Sequence, residues 1–106
     1  MEQKKYSLTE EFILNYDGKK LFRIKANISF RNVNKGDLGG YIESENNLSQ
    51  YDEAWVSGKA RVYGEARVSG EAQVSGEACV YGEAWVYDEA WVYDEARVYG
   101  KVRVYG

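Results

Sequence analysis

Valine recurs every six residues, nine times in a row, from Val56 through Val62, Val68, Val74, Val80, Val86, Val92 and Val98 to Val104. Alanine stands two residues before each, from Ala54 and Ala60 to Ala96, with Val102 closing the series. Two residues after each valine comes Gly, or Asp at positions 88 and 94. The unit reads Val-[Ser/Tyr]-[Gly/Asp]-[Glu/Lys]-Ala-x. A period of six fits neither a helix at 3.6 nor a coiled coil at 3.5. Within each unit Ala-x-Val alternates small-in, variable-out, large-in, as a short strand requires. The Gly/Asp position takes positive φ readily, so the chain turns after every strand. Short strands joined by regular turns, each unable to bury its apolar face alone, predict a β-solenoid.

The first fifty residues break this period. Glu11 to Tyr16, the pair Asp17-Gly18, and Lys19 to Ile24 read as a β-hairpin, because Asp-Gly favours a two-residue turn. A further short strand is expected around Asn27 to Val33, and Lys35-Gly-Asp-Leu-Gly-Gly-Tyr-Ile42 leads into the repeat. Projecting the hexad backwards puts Leu38 at a valine position and Ile42 and Leu48 at alanine positions. The expected organisation is therefore a hairpin cap over residues 1–35 and a β-helix over 36–106. Residues 36–53 form an irregular first coil and 54–106 the regular hexads. A cap is needed because an open end exposes core and unpaired strand edges.

The residues from Tyr51 to Gly106 resemble the hexapeptide-repeat family. That resemblance implies an all-β fold, a left-handed parallel β-helix with three hexads per turn and about three to four coils here. In the commonest family form Gly follows the aliphatic residue directly, whereas here it comes one residue later. The family's acyltransferases and its zinc carbonic anhydrase use histidines, and this chain has none. The leader residues Lys5 to Glu10, Leu21-Phe-Arg-Ile24, Lys35 to Glu43 and Asn47-Leu-Ser49, followed by Val-x-Gly-x-Ala-x units, are similar to small proteins of bacteriophages and prophages of Gram-positive bacteria. That similarity implies a phage context.

Composition narrows the chemistry further. The chain has 106 residues, a net charge of -3, no His, no Pro and a single Cys. Without histidine, Ser-His and Cys-His nucleophile pairs and His-ligated zinc are excluded. A lone Cys79 excludes an internal disulfide framework and a cysteine-cluster metal site. The expectation is a non-enzymatic protein with no catalytic residues, metal or cofactor. The acidic balance argues against a duplex-DNA partner. No apolar run approaches the ~20 residues that span a bilayer, and no signal-peptide apolar segment is present, so a cytoplasmic protein without a membrane partner is expected. Residues 1–50 carry 8 basic and 7 acidic side chains, and residues 51–106 carry 6 and 10.

With an 18-residue coil, residues i and i+18 stack at the ordinary interstrand spacing of about 4.8 Å. The outward positions then form three columns: Trp55, Gln73, Trp91; Arg61, Cys79, Arg97; and Arg67, Trp85, Arg103. The residues after each valine give Ser57-Ser75-Tyr93, Tyr63-Tyr81-Tyr99 and Ser69-Tyr87-Tyr105. Trp, Tyr and Arg are the types enriched at binding hot spots.

Several readings stay open. The tyrosines can be stacking ladders. Arg-Trp-Arg can be a cation–π stack, part of a subunit interface or a ligand site. Glu53, Glu71 and Glu89 stack like charges that solvent can screen, and Cys79 reads as a spare thiol. Thin Val/Ala layers and exposed tryptophans favour a homo-oligomer, a trimer on the family resemblance, with a dimer as the alternative. Arg67, Trp85 and Arg103, backed by Arg61, Arg97, Trp55 and Trp91, are the candidate ligand-binding residues. The expected ligand is small, anionic and nucleotide-like, because guanidinium groups pair with phosphates and aromatic faces stack on bases. With the phage resemblance, the expected role is sequestration of a nucleotide-like immune signal against host antiviral defence. The alternatives are a protein–protein inhibitor of a host defence protein and a structural virion or oligomer component.

Overall fold

Each hexad forms one short strand and one corner in the computed structural model, which describes residues 4–15 and 17–106. Tyr16, placed at the end of a hairpin strand by the sequence, and residues 1–3 of the expected cap lie outside the described residues. The leader contributes β1 (Tyr6–Leu14), β2 (Lys20–Ala26) and β3 (Leu38–Ile42), followed by a single 3₁₀ turn at Glu45–Asn47. The repeat then gives β4 (Trp55–Val56), β5 (Arg61–Val62), β6 (Arg67–Val68), β7 (Gln73–Val74), β8 (Cys79–Val80), β9 (Trp85–Tyr87), β10 (Trp91–Val92), β11 (Arg97–Val98) and β12 (Arg103–Tyr105).

The strands stack parallel on three faces, ordered β4-β7-β10, β6-β9-β12 and β5-β8-β11. Trp55 pairs with Gln73, Arg61 with Cys79 and Arg67 with Trp85, so the coil is 18 residues long. The result is the expected left-handed β-helix of about four coils. Backbone N–H groups of one coil donate to carbonyls of the next, as from Ser57 to Val74 at 2.8 Å and from Tyr63 to Val80 at 3.0 Å. Val56 to Val86 and Ala54 to Ala84 fill the interior with essentially no exposure. At each corner the first central residue takes positive φ, as at Gly82 (71°), Asp88 (57°) and Asp94 (56°). The alanine N–H closes the turn onto the residue after the preceding valine, as from Ala60 to Ser57 at 3.2 Å.

The leader is woven into one of these faces. β1 pairs antiparallel with β2, β2 antiparallel with β3, and β3 parallel with β5, making one six-stranded sheet. Two expectations for this region are corrected. Ile42 pairs with Val62 and Leu48 with Val68, so both occupy valine rows rather than alanine rows. The offset there is 20 residues, because the chain between Leu48 and Val56 carries two residues more than a hexad allows. Leu38 lies outside the valine rows altogether, paired with Lys25 and half exposed. Gly40 takes the inward place that the back-projection gave to a bulky side chain, since a Cβ there would stand 2.6 Å from the Ala60 carbonyl oxygen.

The strand expected over 27–33 is the second correction. Only Phe30 and Val33 pair, by two backbone hydrogen bonds of 2.9 and 2.7 Å across a tight turn at Arg31-Asn32. Arg31 takes φ 45° there. That turn carries Phe30 onto the first coil.

Candidate functional site

The corner-and-strand geometry sends the residue between each Ala and Val outward, and the i to i+18 pairing aligns these residues in columns. Arg67, Trp85 and Arg103 form one column on the β6-β9-β12 face. The Arg67 guanidinium carbon lies 5.8 Å from the Trp85 ring centroid and that of Arg103 lies 5.4 Å from it. One arginine comes from the coil below and one from the coil above, so the indole is clamped between two cations. Exposed cation–π contacts contribute about 0.5–1 kcal/mol each. Both indole faces are thereby taken, and a base cannot stack on Trp85 without displacing an arginine. The edge of the indole stays open, and Trp85 is 43% exposed.

Open grooves flank this column. One of about 560 Å³ runs along Arg67, Trp85 and Arg103 towards Glu65, Glu83 and Lys101, with Ser44 and Asn46 at its base. A second of about 460 Å³ shares Arg67 and Trp85 and reaches Gln50 and Tyr51 of the first coil. Lys101, at the Glu/Lys position of the hexad, adds a third cation to the first groove, and was not among the candidate ligand-binding residues read from the sequence.

Arg61 and Arg97 lie on a different face, on either side of Cys79. The ladder Tyr63-Tyr81-Tyr99 runs beside them, with ring centroids 5.1 and 5.4 Å apart and planes within 4° and 12° of parallel. Tyr87 and Tyr105 stack likewise at 5.4 Å. These distances fit the reading of the tyrosines as cross-strand stacks that steady the coil.

Trp55 is corrected from candidate ligand residue to core residue. It is 4% exposed, with Tyr6 edge-on at 6.4 Å and Phe30 edge-on at 5.3 Å. The leader folds across the lower end of its face and covers it, whereas Trp91 on the same face is 67% exposed. The seven candidate residues thus divide among three faces, and the contacts among them join Arg67 and Arg103 each to Trp85.

Buried polar residues of the leader complete the picture. Lys5 is 3% exposed and donates to the carbonyls of Asp52 (2.9 Å) and Ala54 (2.7 Å), with the Asp52 carboxylate at 3.8 Å. Burial lowers its pKa to about 8, against the opposing pull of Asp52 and Glu53. The Tyr6 hydroxyl donates to the Leu48 carbonyl, and burial raises its pKa, with Glu45 acting in the same direction. The Asn47 amide accepts from the N–H groups of Glu43 and Ser44 and donates to the carbonyls of Gly64 (3.2 Å) and Ala66 (2.8 Å). These groups satisfy strand-edge and corner backbone atoms, which is a capping task. Ser44 three residues before Asn47 was the available signal for the last of them, as a capping box.

Among the described residues no three His, Cys, Asp or Glu side chains gather as metal ligands, and no helix is long and apolar enough to cross a membrane. No protein-family model matches the chain, and no curated protein matches it significantly.

Proposed function

We propose that the chain is a non-enzymatic binding protein that uses the Arg67–Trp85–Arg103 face to hold a small, anionic, nucleotide-like ligand. The observation that carries this reading is the clamped column beside a groove of about 560 Å³, with Lys101 at its rim. Ligand pockets commonly measure about 300–1,000 Å³. Among the described residues neither Arg67 nor Arg103 makes an ion pair, so their donor forks are available to phosphate oxygens. Because arginines cover both indole faces, the ligand's phosphates engage the forks and its base lies along the open edge of Trp85. The leader's similarity to small phage proteins supplies the biological form of the proposal. A phage-encoded homo-oligomer, a trimer in the hexapeptide-repeat manner, sequesters a nucleotide immune signal in the host cytoplasm.

Thermal melting with cyclic dinucleotides and ADP-ribose derivatives tests this. The expected result is a Tm rise of several degrees with one of them, abolished in Arg67→Ala and in Trp85→Ala. Absence of any shift across the set, with a host protein recovered on the chain instead, establishes the alternative of a protein–protein inhibitor. A specific observation favours that second reading: Trp91 and Tyr93 are both more than half exposed, beside the acidic corner Asp94-Glu95.

A further inference from the structure

The two arginines of the leader with described partners are neutralised within the chain, Arg23 by Glu11 at 3.2 Å and Arg31 by Glu71 at 3.5 Å. The arginines of the solenoid are not: no ion pair among the described residues includes Arg61, Arg67, Arg97 or Arg103. Arg67 and Arg103 have the indole of Trp85 between them. Arg61 and Arg97 have only Cys79, whose short side chain lies between them in the column. Two like charges stand two coil steps apart, about 10 Å between backbones, and the carboxylate placed towards them on that sheet, Glu11, is engaged by Arg23 and Tyr41. The small residue leaves a recess of about 370 Å³, walled by Tyr63 and Tyr81 and closed at the hairpin end by Asn15.

From this arrangement we propose a second binding site, distinct from the Trp85 face, for a ligand carrying a diphosphate group. Each guanidinium takes one phosphate through its planar fork, which matches phosphate oxygens two at a time. The spacing favours two linked phosphates over one. A single tetrahedral anion placed on Arg61 leaves Arg97 unpaired, whereas a diphosphate lying along the column reaches both and passes directly over the Cys79 thiol. Free pyrophosphate and the diphosphate of a nucleotide or sugar share this chemistry. The site concerns a different face from the proposed nucleotide groove, and neither depends on the other.

Cys79 is a built-in reporter, since it is the chain's single cysteine and is partly accessible. Its alkylation by neutral iodoacetamide is followed by intact mass at fixed ionic strength, with inorganic pyrophosphate or orthophosphate present. With pyrophosphate at about 1 mM, labelling is expected to slow about tenfold, as for a ligand held in the range of about 0.1 mM. The protection disappears in Arg61→Gln and in Arg97→Gln and survives in Lys35→Gln, an exposed cation outside both proposed sites. Circular dichroism confirms that the variants fold, and the exposed Arg97 gives the less intrusive of the two. An unchanged labelling rate overturns the proposal, as does protection that persists in both glutamine variants. Equal protection by orthophosphate overturns the assignment to a diphosphate. Protection by adenosine diphosphate as well as pyrophosphate places the ligand among nucleotides, and protection by pyrophosphate alone places it with the free ion; either supports the site.

Discussion

Lys5 and Tyr6 are neighbours in sequence whose burial acts on stability in opposite directions. The folded chain holds the Lys5 ammonium away from water, and its pKa falls from the ordinary 10.5 to about 8. Between those values the unfolded chain binds the proton and the folded chain does not, so stability rises with pH through this window. Tyr6 is displaced upward from the ordinary 10.0. Its contribution is complete below pH 10 and is lost as the pH climbs towards the folded value. A comparison of wild type with Lys5→Met isolates the first effect, since Tyr6 is common to both. Urea unfolding at about pH 7 and about pH 9.5 should show the difference moving by about 2 kcal/mol in favour of wild type at the higher pH. A difference that is flat with pH means that the folded chain leaves the ammonium solvated.

At the scale of the element, the corner decides whether a coil can stack. Gly82 and Gly100 share φ 71°, yet a Cβ at Gly82 would stand 2.9 Å from the Gly100 nitrogen, whereas one at Gly100 would meet nothing within 4 Å. Left-handed backbone costs an L-residue about 1–2 kcal/mol, so Gly100→Ala should lose that much and Gly82→Ala distinctly more, from the contact with the coil above. Equal losses by urea midpoint would show that the corners adjust freely. This corner logic was readable in the sequence because every hexad meets the same neighbours six and eighteen residues away, and position alone then identifies Val86 as core and Trp85 as surface. The leader has no such translation. Ile42 and Leu48 reach the valine rows through two extra residues before Val56, and nothing in the local composition marks an insertion. The antiparallel seam of β2 with β3, and the turn that brings Phe30 to Trp55, depend on packing between segments far apart in sequence.

Over the whole molecule the column logic fails wherever another segment covers a face. The β4-β7-β10 face is the clearest case, since Trp55 and Trp91 hold equivalent positions two coils apart. At the leader end Phe30 and Tyr6 close over Trp55, while Lys5 donates to the carbonyls of Asp52 and Ala54 beside it. Towards the other end Trp91 and Tyr93 are exposed, and Val102 is 49% exposed. The two ends of the prism are therefore unequal: one is sealed by the cap, and the other presents aromatic and aliphatic surface. Identical residues in identical register should then differ sharply in stability terms. Trp55→Ala removes the side chain that joins cap to coil and should cost about 3–5 kcal/mol, the range for a buried aromatic. Trp91→Ala should stay within about 0.5 kcal/mol, as surface changes do. Urea unfolding of both variants at low protein concentration measures the contrast, with the low concentration keeping any self-association from burying Trp91. A large loss at Trp91 would mean that its face is covered even in the isolated chain, and a small loss at Trp55 would mean that the leader does not dock. Because the cap contacts lie on the first coil, Trp55→Ala should also loosen β1 and the turn at Arg31 before the distal coils. Hydrogen exchange at the amides of Tyr6 and Phe30 reads that ordering directly.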